Sequence, residues 1–208
     1  MKVVITAGPT REFIDPVRFL SNPSTGRMGF EVAAEAARRG CESVLVAGPV
    51  TLKTPKGVRR IDVTSAREML AAVKREIAAG GDIFIATAAV ADWRPARTAA
   101  KKLKKSEMTG VLELKRNPDI LKTVKDCRKI GFAAETGDPT REAARKCREK
   151  RLEFIVANDV TRAGAGFGTA TNLVSFVFPD GTVRKFPLMT KRRVAAEIFK
   201  AIGVKCNG

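Results

Sequence analysis

The sequence contains no histidine, no tyrosine and no glutamine. Without histidine, a Ser-His-Asp triad, a His general base and a His-ligated metal are excluded, and proton transfer falls to Asp, Glu, Lys or the substrate itself. Cysteine is scarce: Cys41, Cys127, Cys147 and Cys206 are scattered, with no CxxC pair. That pattern argues against a zinc site or a disulfide framework and for a reducing, cytoplasmic setting. No apolar run approaches the roughly 18 residues that span a bilayer. The N-terminus enters MKVVITAG directly, without a signal-peptide pattern, so no membrane association is expected. Few amides beside many Lys and Arg are compatible with a thermophile.

What is present is positive charge. Thirty-nine Lys and Arg against 22 Asp and Glu give a formal charge of +17. Such a field concentrates anions, which fits nucleic acid or small polyanions such as nucleotides, although a basic surface can also be merely solvated. Apolar residues make up 44% of 208, enough to build the core of one large domain.

Strand and helix patterns alternate along the chain. KVVITAG (2–8), SVLVAGP (43–49), VRRIDV (58–63), DIFIATAAVA (82–91), IGFAAET (130–136) and FIVAND (154–159) read as strands, and LELKRN (112–117) as a further one. Between them lie helix patterns at about 25–39, closed by Gly40, and at 65–79, capped by Ser65. A helix is expected to start at NPDILKTVKDC with Asn117 as cap and Pro118 in its first turn, and another at TREAARKCREKRL. LVSFVF-PDG-TVRKFPL reads as an antiparallel hairpin at 173–188, and Thr190 caps a last helix. The pattern predicts an α/β, doubly wound, mostly parallel Rossmann-like sheet with a C-terminal antiparallel hairpin. No repeat or linker divides it, so a single domain over 1–208 is expected, with a basic flap at about 96–110 that has little to bury and is ordered only by ligand charge.

Ligands of such sheets sit beyond the carboxyl ends of the strands. AGPT, VADWRP, AAET and ANDV fall at those ends, and so does RFLSNPSTGRMG (18–29), whose Ser24, Gly26 and Gly29 can open a helix toward a phosphate. The GxGxxG fingerprint is missing from the first turn, and GAGFG (164–168) has the wrong spacing, so a nicotinamide-dependent oxidoreductase is disfavoured. KKLKK (101–105) could close over a triphosphate or simply be solvated. Lys146 and Lys150 share a helix face and could hold a phosphate chain or pair with Glu142 and Glu149.

In chain order, ITAGPTREFIDPVRFLSNPSTGRMG, AAVADWRP, KKLKK, NPDI, GFAAET and ANDV…GFG resemble the phosphopantothenate–cysteine ligases over nearly the whole sequence. The resemblance implies that Asn22 contacts the acyl part of the reaction intermediate, while Gly8, Ser24 and Gly26 help hold the phosphate of 4'-phosphopantothenate. It matches Arg18 to a functional arginine, gives the nucleotide ribose to Asp92 with Ala88 nearby, and gives the triphosphate to Lys102, the first lysine of a K-x-K-K motif. Asn117, Pro118, Asp119, Ile120, Phe132, Lys146 and Lys150 match the remaining nucleotide contacts.

The implied reaction joins 4'-phosphopantothenate to L-cysteine through an acyl-cytidylate, with CTP as co-substrate and Mg²⁺ held mainly by the nucleotide phosphates. ATP is the alternative nucleotide, and a basic nucleic-acid-binding module is the rival from another class. One Trp, no Tyr and no RNP-like or zinc signature weigh against nucleic acid. The resemblance also implies a homodimer, for which the 173–188 hairpin offers an apolar edge, and in many relatives a fused flavin-dependent decarboxylase.

Overall fold

KVVITA carries apolar side chains at Val3, Val4, Ile5 and Ala7 and is buried along its whole length as β1 (Lys2–Ala7), in the middle of the sheet. The structure, a computed structural model, describes residues 1–105, 110–135, 140–159 and 168–204. After β1 come the hairpin β2 (Arg11–Phe13) and β3 (Phe19–Ser21), then α1 (Arg27–Arg38), β4 (Glu42–Ala47), β5 (Val58–Asp62), α2 (Ala66–Ala78) and β6 (Ile83–Ala86). The chain continues through β7 (Trp93–Pro95), β8 (Leu114–Arg116), α3 (Ile120–Thr123), β9 (Arg128–Glu135), α4 (Thr140–Lys150) and β10 (Phe154–Asp159). Short strands β11 (Thr171–Asn172), β12 (Val174–Val177), β13 (Val183–Lys185) and β14 (Met189–Thr190) precede α5 (Lys191–Ala201).

The central sheet has the order β13-β12-β10-β9-β6-β1-β4-β5. β5, β4, β1, β6, β9 and β10 are parallel, and β12 and β13 extend the sheet antiparallel from β10. The six parallel strands thus have the Rossmann connectivity, and the direction of winding reverses between β1 and β6. Alternation along the strands serves two layers. Val3, Ile5 and Leu45 pack with Phe30, Val32, Ile198 and Phe199 of α1 and α5. Val4, Val46 and Phe84 pack with Met69 and Val73 of α2 on the other face. Burial of each such Ile, Phe or Val contributes about 1.5–3 kcal/mol. Among the described residues no helix is long and apolar enough to cross a membrane.

Ser65 and Thr190 cap α2 and α5 as expected, accepting from Glu68 N and Arg193 N. Two expectations need correction. The strand read over 82–91 stops at Ala86, because Thr87 Oγ1 turns back to Thr6 O at 2.5 Å and Ala89 N to Gly8 O at 2.9 Å. The helix expected from Asn117 is only four residues long, and Asp119 caps it instead, accepting from Lys122 N at 3.0 Å. It ends at the β-branched pair Thr123-Val124, where Lys129 Nζ takes Leu121 O at 3.0 Å and Val124 O at 3.1 Å. The flap's first limb is hydrogen-bonded to the β2–β3 hairpin. Thr98 Oγ1 donates to Phe13 O at 3.0 Å and Ala99 N to Ile14 O at 2.9 Å. Residues 106–109 of the flap, the GAGF of the glycine-rich segment and Cys206 lie outside the described residues.

Candidate functional site

The crevice at the switch point between β1 and β6 is built from loops that the strand ends release. α1 begins at Gly26 in the left-handed region (φ 79), with no side-chain cap and no acidic residue in its first turn. A helix start of that kind leaves N–H donors and a partial positive charge toward the crevice. The close approach of α1 depends on Gly29, where an added Cβ would lie 2.4 Å from Thr87 Oγ1 and 2.5 Å from Ala7 Cβ. Gly8 sits directly under the turn, since a Cβ on Gly26 would come 3.3 Å from Gly8 N.

Two clefts of about 560 and 500 Å³ open here. The first is lined by Asn22, Ser24, Gly26 and Lys146, among others, and the second by Asn117, Pro118, Asp119 and Ile120. Ala88, Val90, Asp92, Leu121, Phe132 and Lys150 line both, so the clefts meet around these six residues. The structure therefore gathers twelve sequence-derived candidates: Asn22, Ser24, Gly26, Ala88, Asp92, Phe132, Lys146, Lys150 and the four residues 117–120. Gly8 supports the site from below through its carbonyl and its contact with Gly26. Arg18 and Lys102 line neither cleft.

Local bonds fix these side chains. Asn22 Nδ2 donates to Ala89 O at 3.2 Å and Val90 O at 3.3 Å, which holds the 22–26 turn against the exit of β6. Ser24 Oγ accepts from Gly26 N at 3.3 Å. Asn117 Nδ2 donates to Ala91 O at 2.8 Å, and Asn117 N to Asp92 O at 2.7 Å, so the 117–120 loop is tied to the Asp92 backbone while its carboxylate stays exposed. Lys150 Nζ pairs with Asp119 Oδ2 at 2.7 Å. Burial pushes the Asp119 carboxyl up, but the hydrogen bonds from Lys150 and Lys122 N outweigh it and hold the group below its ordinary range. Lys146 lies 3.8 Å from Glu142.

Sequence reasoning missed Lys191 and Asn172, which line the first cleft; Asn158, the asparagine of the ANDV segment, lines it too, and its Oδ1 is buried without a hydrogen-bond partner. It also missed the β2–β3 hairpin. Asp15 Oδ1 accepts from Val17 N and Arg18 N at 2.9 Å each to close its turn, and the Asp15-Pro16 dipeptide was the available signal. No three His, Cys, Asp or Glu side chains converge as a metal cage among the described residues. The site's chemistry is that of an anion receptor, with amide donors for a carbonyl and ammonium groups for phosphate.

A family model of the DNA/pantothenate metabolism flavoprotein C-terminal domain matches residues 1–204. The chain is 48% identical over 205 residues to the coenzyme A biosynthesis bifunctional protein CoaBC of Bacillus subtilis, covering 96% of this chain and 50% of that protein. CoaBC of Escherichia coli is 46% identical over 189 residues, covering 87% of this chain and 46% of that protein. The chain thus spans about half the length of the curated relatives it matches. A crystal structure of the C-terminal domain of CoaBC agrees with a TM-score of 0.80 at 45% identity, covering 97% of this chain and 95% of that one. A Cab2 mutant in complex with phosphopantothenate-cysteine shares the fold at a TM-score of 0.78 and 16% identity, covering 97% and 87%.

Proposed function

Because the chain belongs to the family of DNA/pantothenate metabolism flavoprotein C-terminal domains, we propose that it is a phosphopantothenate–cysteine ligase domain acting in coenzyme A biosynthesis. The observation that carries this reading is the pair of joined clefts at the β1/β6 switch point, where Asn22, Asp92, Phe132 and Lys150 meet the start of α1. The carboxylate of 4'-phosphopantothenate attacks the α-phosphate of the nucleoside triphosphate, forming an acyl-nucleotide and releasing pyrophosphate. The amine of L-cysteine then attacks the acyl carbonyl, forming the amide and expelling the nucleoside monophosphate. Both steps build negative charge on phosphate oxygens, which fixed ammonium groups stabilise without a protein nucleophile.

In this scheme Asp92 receives the ribose, the 117–120 loop and Phe132 the base, and Lys146 and Lys150 the phosphates. Asn22 donates its amide to the acyl carbonyl, and Lys102 reaches the triphosphate when the flap closes. Arg18 acts through the flap, because its Nη2 donates to Leu103 O at 2.9 Å. CTP is the proposed nucleotide, with ATP as the alternative. Since no protein cage forms among the described residues, Mg²⁺ is proposed to enter with the triphosphate, whose oxygens are its natural ligands.

A homodimer, a cytoplasmic setting and a decarboxylase partner, fused or separate, belong to the same proposal. The edge strand β13 exposes Arg184 and Lys185, which discourages pairing there. Exposed apolar side chains cluster instead on the β2–β3 and β7–β8 hairpins, at Val17, Phe19, Trp93, Leu112 and Leu114, so the partner copy is placed on that surface. Phe19→Glu should then convert a sedimenting dimer to monomer, and a wild-type monomer at micromolar concentration would overturn the assignment. The activity itself is tested by incubating the protein with 4'-phosphopantothenate, L-cysteine, Mg²⁺ and CTP or ATP. The mass of phosphopantothenoylcysteine should appear, and its absence with both nucleotides contradicts the reading.

A further inference from the structure

Lys191 opens α5 and is only 6% exposed. Its Nζ donates to Thr171 O at 3.1 Å and to Asn172 Oδ1 at 2.5 Å. Buried Asn172 in turn directs Nδ2 to Met28 Sδ at 3.6 Å, which braces the pair against the first turn of α1. Lys191, Asn172, Arg27 and Met28 line one cleft. Burial, and next the charge of Arg27, push the Lys191 ammonium toward a lower pKa, a penalty that an arriving anion reverses. The start of α5 is fastened by other means. Thr190 caps it, Lys191 N donates to Ala170 O at 3.2 Å, and β14 pairs with β11.

We propose that Lys191, which belongs to none of the sequence motifs, binds a phosphate group of a substrate together with the uncapped start of α1. The proposal rests on the ligase reading, which supplies two phosphorylated substrates, and the shared chemistry is a phosphate oxyanion. A lysine that only fastened α5 would support both the phosphorylated and the unphosphorylated ligand alike. One that grips phosphate discriminates between them.

The test compares wild type, Lys191→Met and Lys191→Arg by calorimetric titration with 4'-phosphopantothenate, pantothenate, CTP and inorganic tripolyphosphate. Lys191→Met should weaken a phosphorylated ligand by about ten- to hundredfold while pantothenate binds as before, with partial recovery in Lys191→Arg. Loss confined to 4'-phosphopantothenate assigns the monoester; loss confined to CTP and tripolyphosphate assigns the triphosphate. Unchanged affinities in a variant with a normal melting transition overturn the proposal. So does equal weakening of pantothenate, or a wild-type protein that binds none of the four. A wild type that binds tripolyphosphate but neither substrate defeats the ligase reading, yet the tripolyphosphate comparison still decides for Lys191. If Lys191→Met does not fold, Lys191→Gln keeps a donor for Thr171 O, removes the charge and is read by the same outcomes.

Discussion

The backbone N–H of Leu103 donates to the buried carboxylate of Asp15 at 3.2 Å, across 88 positions of sequence. The same Oδ2 accepts from Arg18 Nη2 at 2.5 Å, and Arg18 also holds Leu103 O. Burial would raise the Asp15 carboxyl, but the N–H groups of Val17, Arg18 and Leu103 and the Arg18 guanidinium hold it well below the ordinary carboxylate range. A charged clamp therefore grips the residue between Lys102 and Lys104, and the basic run has a fixed root rather than a free path through solvent.

A fixed root makes neighbouring lysines unequal. Lys102→Ala is expected to slow acyl-nucleotide formation by roughly ten- to hundredfold, the cost of one charge-assisted contact, while Lys101→Ala loses much less. Rapid-quench measurement of the acyl-nucleotide compares them. Equal losses at both positions, erased by added salt, would mean that the run acts only as diffuse charge.

Asn22→Asp should impair the second half-reaction more than the first. Its amide donates to Ala89 O and Val90 O at the lining of the first cleft, and an acyl carbonyl there would take over one of those two bonds. A carboxylate cannot donate there and repels phosphate. Acyl-nucleotide should accumulate when the variant is given 4'-phosphopantothenate, CTP and L-cysteine. Normal turnover to product would remove Asn22 from the mechanism.

Acid stability should depend on Glu76, which is buried on α2, 2.5 Å from Arg59 Nη2 and 3.0 Å from Lys2 Nζ. The Arg59 hydrogen bond, against the opposing effect of burial and with help from Lys2, lowers its pKa from 4.5 to about 2. A depressed folded-state pKa stabilises the protein above the unfolded value and loses that contribution as pH falls toward the folded one. It is on the order of 2 kcal/mol at neutral pH, allowing for the half-exposed arginine. Glu76→Gln should lower the melting temperature at neutral pH and flatten its decline between about pH 5 and 2. A decline as steep as wild type would contradict the assignment.

Local chemistry was legible wherever one residue decides it. Ser65 and Thr190 cap their helices, and Gly40 (φ 75) follows α1 as its sequence position suggests. Alternating patterns gave the fold class, but the strand order rests on pairings between distant segments, such as Val3 with Ile83, that no local pattern encodes. β2 and β3 are three residues each, too short for periodicity to register. α3 was overread because its carbonyls are taken by Lys129 from another element. Lys191 sits in TKRR and looks like a surface residue; only the fold brings Asn172 and Thr171 to its ammonium.

In the proposed reaction this crevice activates the carboxylate of 4'-phosphopantothenate on a nucleoside triphosphate. Pyrophosphate release in the absence of L-cysteine tests that step alone. A burst of pyrophosphate, at most about one per site, is expected; it requires 4'-phosphopantothenate together with CTP or, in the alternative, ATP, and becomes continuous turnover when L-cysteine is added. Pyrophosphate released at the same rate without 4'-phosphopantothenate, or none released with either nucleotide, would contradict it.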